Sequence, residues 1–179
     1  MANSADLLSQ AKLRLARFPA ALEALVADLD EASWRARPAA GRWAPLEIVC
    51  HLRDEEREDF PARVKAVIAG ATSFTAIAPQ RWVEERRYLG DDPAKALAGF
   101  LALRRESLAF LAGLAPEELM RGVDHPQLGV MTGRDLLAAW AVHDLLHLSQ
   151  LARTLARIQA DAWAPLRVDY AGDIPYPPA

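Results

Sequence analysis

Apolar residues recur at three- and four-residue steps through most of this chain, in four long stretches set apart by proline and glycine. Leu7, Leu8, Leu13, Leu15, Phe18, Leu22, Leu25, Val26 and Leu29 follow that pattern, which a 3.6-residue helix gathers onto one face. They predict a first helix over residues 5–31. Pro19 should bend it, because its ring removes a backbone donor and crowds the preceding turn. A second helix is predicted over 45–69: Pro45 suits its first position, Glu47 its first turn and Gly70 its end. Pro61 predicts a second bend. A third helix spans 93–112, opening at Asp92-Pro93 and stopping near Gly113. A fourth spans 133–160, with Thr132 as N-cap and Asp135 three residues on, close to a capping box.

Each stretch can bury only one face, so the four must cover one another. The expected fold class is all-α, a four-helix bundle whose sites are built from inward-facing side chains. At 179 residues the chain reads as a single domain over 1–179. Residues 33–44 and 121–131 read as loops, and 116–119 as one extra turn. The connection 71–91 is long for a compact domain. Such a segment is often a lid or carries a short helix of its own, and Trp82 within it is the candidate lid residue. Four prolines in 162–179 predict an extended tail.

The net charge is −3 and no basic stripe is present, so nothing argues for nucleic-acid binding. A single cysteine, Cys50, excludes an internal disulfide and suggests a reducing compartment. The N-terminus has no cationic start or apolar run, and no uncharged segment approaches the roughly 18 residues of a membrane span. The expected setting is cytoplasmic.

Four histidines are present, and two of them, His143 and His147, stand one turn apart on the fourth helix. That spacing places both imidazoles on one face. For an isolated pair, a half-exposed boundary face is the better reading. His51 changes the weighing: if the second helix brings it alongside, three neutral nitrogens surround an open coordination position, as in a catalytic metal site. On the fourth helix a line of Leu136, Trp140, His143, His147, Gln150 and Thr154, polar from its middle onward, runs beside the core line of Leu137, Ala141, Leu148, Leu151 and Leu155. On the second helix Glu56 falls within the stripe of Val49, Leu52 and Phe60, where a carboxylate is costly unless paired. It is either a general base or acceptor for an imidazole, or one half of an interior ion pair with Arg63 or Arg104. Glu55 lies about 40° around from His51 at roughly 100° per residue. Asp144 adjoins His143 in sequence and therefore points elsewhere; it and Asp54, three residues after His51, are expected in solvent or in salt bridges. Cys50 is expected to pack as a small apolar residue. His125, before a proline in a loop, is expected to be exposed or to overhang the site. Trp43, Trp82 and Trp140 either wall an apolar pocket or are plain core. Ser107 and Ser149 lack triad partners, and no nucleotide-binding or Cys-x-x-Cys motif occurs.

These residues carry a resemblance. Gly41-Arg-Trp-Ala-Pro-Leu-Glu-Ile-Val-Cys-His51-Leu-Arg-Asp-Glu-Glu56 resembles the second-helix motif of the DinB-like metalloprotein family, where a tryptophan precedes the helix and an acid follows the first metal histidine. His125-Pro-Gln-Leu-Gly129 and Thr132–Arg153 resemble its fourth-helix motif. The likeness covers about residues 5–160. It implies an up-down-down-up four-helix bundle, often a homodimer, with a divalent metal held by His51, His143 and His147; imidazole ligands suit zinc or nickel. Glu56 and Arg104 fall where many members have an acid and an arginine, and take the catalytic roles of proton acceptor and anion contact. Trp43, Trp140 and Gln150 are expected to border the ligand cavity. Members of the family include transferases and isomerases that use a low-molecular-weight thiol. The leading expectation is therefore a metal-dependent enzyme acting on a small molecule, as a thiol-dependent transferase or isomerase. A metal-dependent hydrolase, or a non-catalytic metal- or ligand-binding stress-response protein, is the alternative.

Overall fold

Two prolines and two capping acids decide where the long helical stretches start and break. The computed structural model describes residues 4–74 and 77–176, so parts of the 71–91 connection and of the tail lie outside it. In chain order the elements are α1 (Ser4–Val26), α2 (Glu31–Arg35), α3 (Pro45–Glu58), α4 (Phe60–Ile68), α5 (Pro79–Glu85), α6 (Pro93–Ala112), β1 (Gly122–His125), β2 (Gly129–Thr132) and α7 (Gly133–Ala162). Single 3-10 turns occur at Tyr88–Gly90, Pro116–Met120 and Asp169–Ala171.

The first helix runs through Pro19 and ends at Val26, short of residue 31. The remainder goes to α2, which opens where Asp30 accepts a hydrogen bond from Ser33 N at 2.7 Å. A capping carboxylate satisfies a free N–H and lets a new helix start; α2 thus occupies the first residues of the expected 33–44 loop. The expected 45–69 helix is two helices. Pro61 has no N–H and its ring would strike the carbonyl four residues back. The break falls at Asp59, with φ −115° and ψ −100°, and leaves Phe60 at the head of α4.

The start of α3 is tied down. Glu47 is fully buried, accepts from Ala44 N at 2.8 Å, and is bound by Arg37 through Nε at 3.0 Å. The expected capping box of α7 is present: Thr132 Oγ1 accepts from Asp135 N at 3.3 Å and Asp135 accepts from Thr132 N at 2.8 Å. The 71–91 connection carries α5 and a 3-10 turn. Trp82 is buried in the core with the Arg86 guanidinium 4.1 Å over its ring, so it packs as core and not as a lid. In place of the expected loop over 121–131, residues 122–132 form an antiparallel hairpin in the register His125↔Gly129 and Gly122↔Thr132. Gly129, at φ +73°, takes the left-handed position that a three-residue hairpin loop requires.

In the bundle α1 lies against α6 and α7, and α3 also lies against α6 and α7, with α4 on α7. The architecture is therefore the expected four-helix bundle, with one hairpin added. Its core falls into two clusters, one around Leu22, Leu46, Ile48, Phe100 and Leu151, the other around Leu15, Val64, Leu111, Leu137 and Trp140. The tail is not simply extended: it turns at Asp169–Ala171, and Tyr176 lies 5.2 Å from Arg42 and 5.6 Å from Arg153. No described helix is long and apolar enough to cross a membrane.

Candidate metal centre

Helices α3 and α7 touch along the line that carries the histidines. One ligand atom from each of His51, His143 and His147 lies within 4.8 Å of the others. His143 Nε2 and His147 Nε2 are 3.0 Å apart. The partner of His147 on its other edge is Gln150, whose Oε1 lies 2.8 Å from Nδ1. That carbonyl requires the proton on Nδ1 and leaves the Nε2 lone pair turned to the cluster. Gln150 thus orients a ring, the usual work of a partner behind a metal-binding histidine.

The acid at this point is Glu55. Its Oε1 lies 3.2 Å from His51 Nε2 and its Oε2 2.9 Å from His143 Nε2. Among the described residues, Oε2 makes no hydrogen bond and His51 Nδ1 is likewise buried without a partner. Burial first, and then His147 and His143, push the His51 imidazole down to about 3. Burial and then His143 push His147 down to about 4. Both rings are therefore neutral near pH 7, the form in which imidazole binds a cation. Converging imidazole nitrogens beside a buried carboxylate with an unpartnered Oε2 fit a divalent ion, whose charge would offset that carboxylate,.

Aromatic rings wall the cluster. Trp43 lies parallel to His147 with centroids 6.2 Å apart and tilts over His51 at 4.8 Å. Phe60, placed by the break at Asp59, tilts over His143 at 4.9 Å. On one side the cluster meets a groove of about 430 Å³ that Glu55 and His143 share with the hairpin.

The structure brings Trp43 and Gln150 to the three histidines. Trp140 stands one layer back, stacked on Phe60 at 6.3 Å. Glu56 and Arg104 are occupied elsewhere. Arg104 is fully buried between two carboxylates, with Nε and Nη2 each 3.0 Å from Glu56 and Nη1 and Nη2 at 2.6 and 2.9 Å from Asp144. Nη1 also donates to Leu15 O at 3.1 Å. Burial drives the Glu56 and Asp144 carboxyls above their usual range, because one guanidinium serves two acids in a dry interior,. Of the two sequence readings of Glu56, the geometry is the interior ion pair with Arg104. This triad ties α3, α6 and α7 to α1.

Asp54 and Asp144, expected in solvent or salt bridges, are both buried in salt bridges. Cys50 is core, fully buried, its thiol pushed up to about 12 chiefly by burial. Sequence reasoning missed Glu55 and Phe60 as site residues. The four-residue step from His51 was a usable signal for Glu55; Phe60 had none apart from the break that Pro61 causes.

Comparison with known proteins agrees with this architecture. The family model of the DinB superfamily matches residues 14–151. The fold is similar to the solved structure of YfiT from Bacillus subtilis, described as a probable metal-dependent hydrolase with an unusual four-helix bundle topology; the TM-score is 0.78, the identity 20%, and 92% of each chain is covered. No curated protein matches the sequence. On the family match across most of its length, and on the two histidine motifs that the fold brings together, this chain belongs to the DinB superfamily.

Proposed function

We propose that this protein is a metal-dependent enzyme acting on a small molecule, with His51, His143 and His147 as the metal ligands and Glu55 as the proton acceptor. The observation that carries the reading is the meeting of three imidazole nitrogens and one buried carboxylate at a point open to a groove. Bound there, a divalent ion such as zinc or nickel supplies Lewis acidity, lowering the pKa of a nucleophile and polarising the group it attacks. The chain's own residues do the rest. Glu55 takes the proton from the nucleophile, because it is the carboxylate within hydrogen-bond reach of the cluster. Gln150 holds His147 in the tautomer that frees Nε2. Trp43 and Phe60 keep bulk water off the imidazoles, which strengthens every charge interaction inside.

Water as nucleophile makes the protein a hydrolase, and the likeness to YfiT favours that form. A low-molecular-weight thiol in the same place makes it a transferase or isomerase; the resemblance of the histidine motifs supports this second reading. A screen of the metal-loaded protein with ester, amide and halide substrates, each with and without an added thiol, separates the two. Glu55→Gln should lower turnover at least about a hundredfold while metal content stays at the wild-type level. Full turnover in that variant would remove Glu55 from the mechanism. Turnover absent under every condition despite full metal loading would favour the non-catalytic binding protein.

Two further proposals concern setting. The single buried Cys50 supports a reducing, cytoplasmic compartment,. A homodimer is supported by the outward face of α7, where Val142, Leu145 and Leu146 are 55, 50 and 63% exposed; large exposed apolar side chains in a row favour a partner surface.

A further inference from the structure

The groove beside the metal centre has an apolar body, and on its hairpin side His125 has one ring edge without a partner among the described residues. Phe60, Phe74, Ile77, Leu128, Met131 and Leu136 supply much of its lining. Its volume, about 430 Å³, suits a small organic molecule. Most of its charged groups are already engaged. Arg63 is paired with Asp59 and lies 4.7 Å over the Phe74 ring. Glu55 and His143 belong to the metal cluster.

His125 is different. It comes from the hairpin, its side chain is half-buried, and its ring stands 6.5 Å from that of Phe74. Its Nδ1 accepts from Gln127 N and Leu128 N, each at 3.2 Å. Two backbone N–H groups aimed at Nδ1 force the proton of a neutral ring onto Nε2. That edge is a hydrogen-bond donor whether the ring is neutral or charged. The turn holds the ring in place before any ligand arrives, so little freedom is lost on binding. A fixed donor beside the apolar part of the groove, whose charged residues Glu55, Asp59, Arg63 and His143 are engaged elsewhere, discriminates in favour of a molecule that carries an acceptor there,.

We propose that this groove binds the substrate and that His125, through Nε2–H, is its specificity-determining residue, selecting small apolar molecules that carry a carbonyl or carboxylate oxygen against the hairpin wall. The inference rests on the proposed function only for the word substrate; the binding preference itself needs no metal.

Two substitutions separate the two edges of the ring. In His125→Asn the side-chain oxygen replaces Nδ1 and keeps the turn, but the Nε2 donor is gone. In His125→Gln the amide nitrogen replaces the Nε2 donor and the Nδ1 acceptor is lost. The probes are 4-phenylbutan-2-one, 4-phenylbutanoate and butylbenzene, titrated against the full chain by heteronuclear NMR, in wild type and in the metal-free background of His147→Ala. In both backgrounds the ketone should shift the Nε2 resonance of His125 and the ring signals of Phe74. His125→Asn should weaken the ketone by about five- to tenfold, the size of one lost hydrogen bond, and change butylbenzene less than twofold. His125→Gln should stay within about threefold of wild type for all three probes. A larger loss for the carboxylate than for the ketone identifies an anion as the preferred group; equal losses identify a carbonyl. The proposal is overturned if His125→Asn weakens all three probes alike, if it weakens none, or if the probes leave the His125 and Phe74 signals unmoved. Loss of probe binding in His147→Ala alone would instead assign the preference to the metal centre and overturn the role of His125. A preference that persists there while wild type takes up no metal keeps the groove and removes the metalloenzyme reading.

Discussion

At the scale of single residues, two neighbouring glutamates divide two jobs. Glu55 faces His51 and His143, whereas Glu56, 100° further round the helix, joins Arg104 and Asp144 in the interior. In the sequence its place in the apolar stripe leaves Glu56 open to either role, and the family resemblance is what points to the chemistry. That position made it a buried residue, and burial is what an interior ion pair and a catalytic acid have in common. Asp144 carried a legible signal of the same kind: it follows Leu137 by seven residues and Ala141 by three, which puts it on the core line and not in solvent. The role of Arg104 can be tested. Breaking a buried ion group by removing one partner leaves uncompensated charge and costs about 3–5 kcal/mol. Arg104→Met should lower unfolding stability by that amount in urea titrations, since it strands two carboxylates. If stability is unchanged and only turnover falls, Arg104 acts in catalysis after all.

At the scale of elements, most helix positions were legible because caps and periods are local. Asp92 capping Lys95 N at 2.9 Å and the Thr132–Asp135 box are read from four or five residues. Thr132→Ala should cost about 1 kcal/mol of stability, seen as a lower urea midpoint with an unchanged slope; no shift would mean that the box contributes nothing. What was not legible depended on distant partners. The hairpin over 122–132 is too short to show a period, and α2 exists because Asp30 caps it and Trp34 finds the core. The connection before α6 is held by Asp54, which is bound by Arg86 at 2.7 Å, Arg53 at 2.8 Å and the Tyr88 hydroxyl at 2.9 Å. Burial alone would raise the Asp54 carboxyl, but these donors outweigh it and hold it below the usual 3.8. The folded state therefore binds this proton less readily than the unfolded chain. The stabilisation is complete above 3.8 and is lost as pH falls through the lower folded value. Asp54→Asn should be less stable than wild type by about 2–3 kcal/mol at pH 7, and the gap should narrow as unfolding is followed down from pH 5 to pH 3. A gap independent of pH would show that the carboxylate charge does not matter.

At the scale of the whole molecule, the bundle brings together three side chains that lie up to 96 positions apart in sequence, from His51 to His147. The i, i+4 pair was visible on one helix, but its meeting with His51 depended on α3 packing along α7, which is a property of the tertiary fold. Sedimentation should show a dimer if the apolar face of α7 is an interface, and Leu146→Glu should return the protein to a monomer; a wild-type monomer at all concentrations would assign that face another role.

The most direct test of the account is the metal content of the reconstituted protein, measured alongside far-ultraviolet circular dichroism in wild type and His147→Ala. The expected result is one equivalent of divalent metal per chain in wild type, almost none in the variant, and the same helical signal in both. Equal metal content in the two proteins, or none in wild type after reconstitution with zinc or nickel, would contradict the assignment of His51, His143 and His147 as a metal centre.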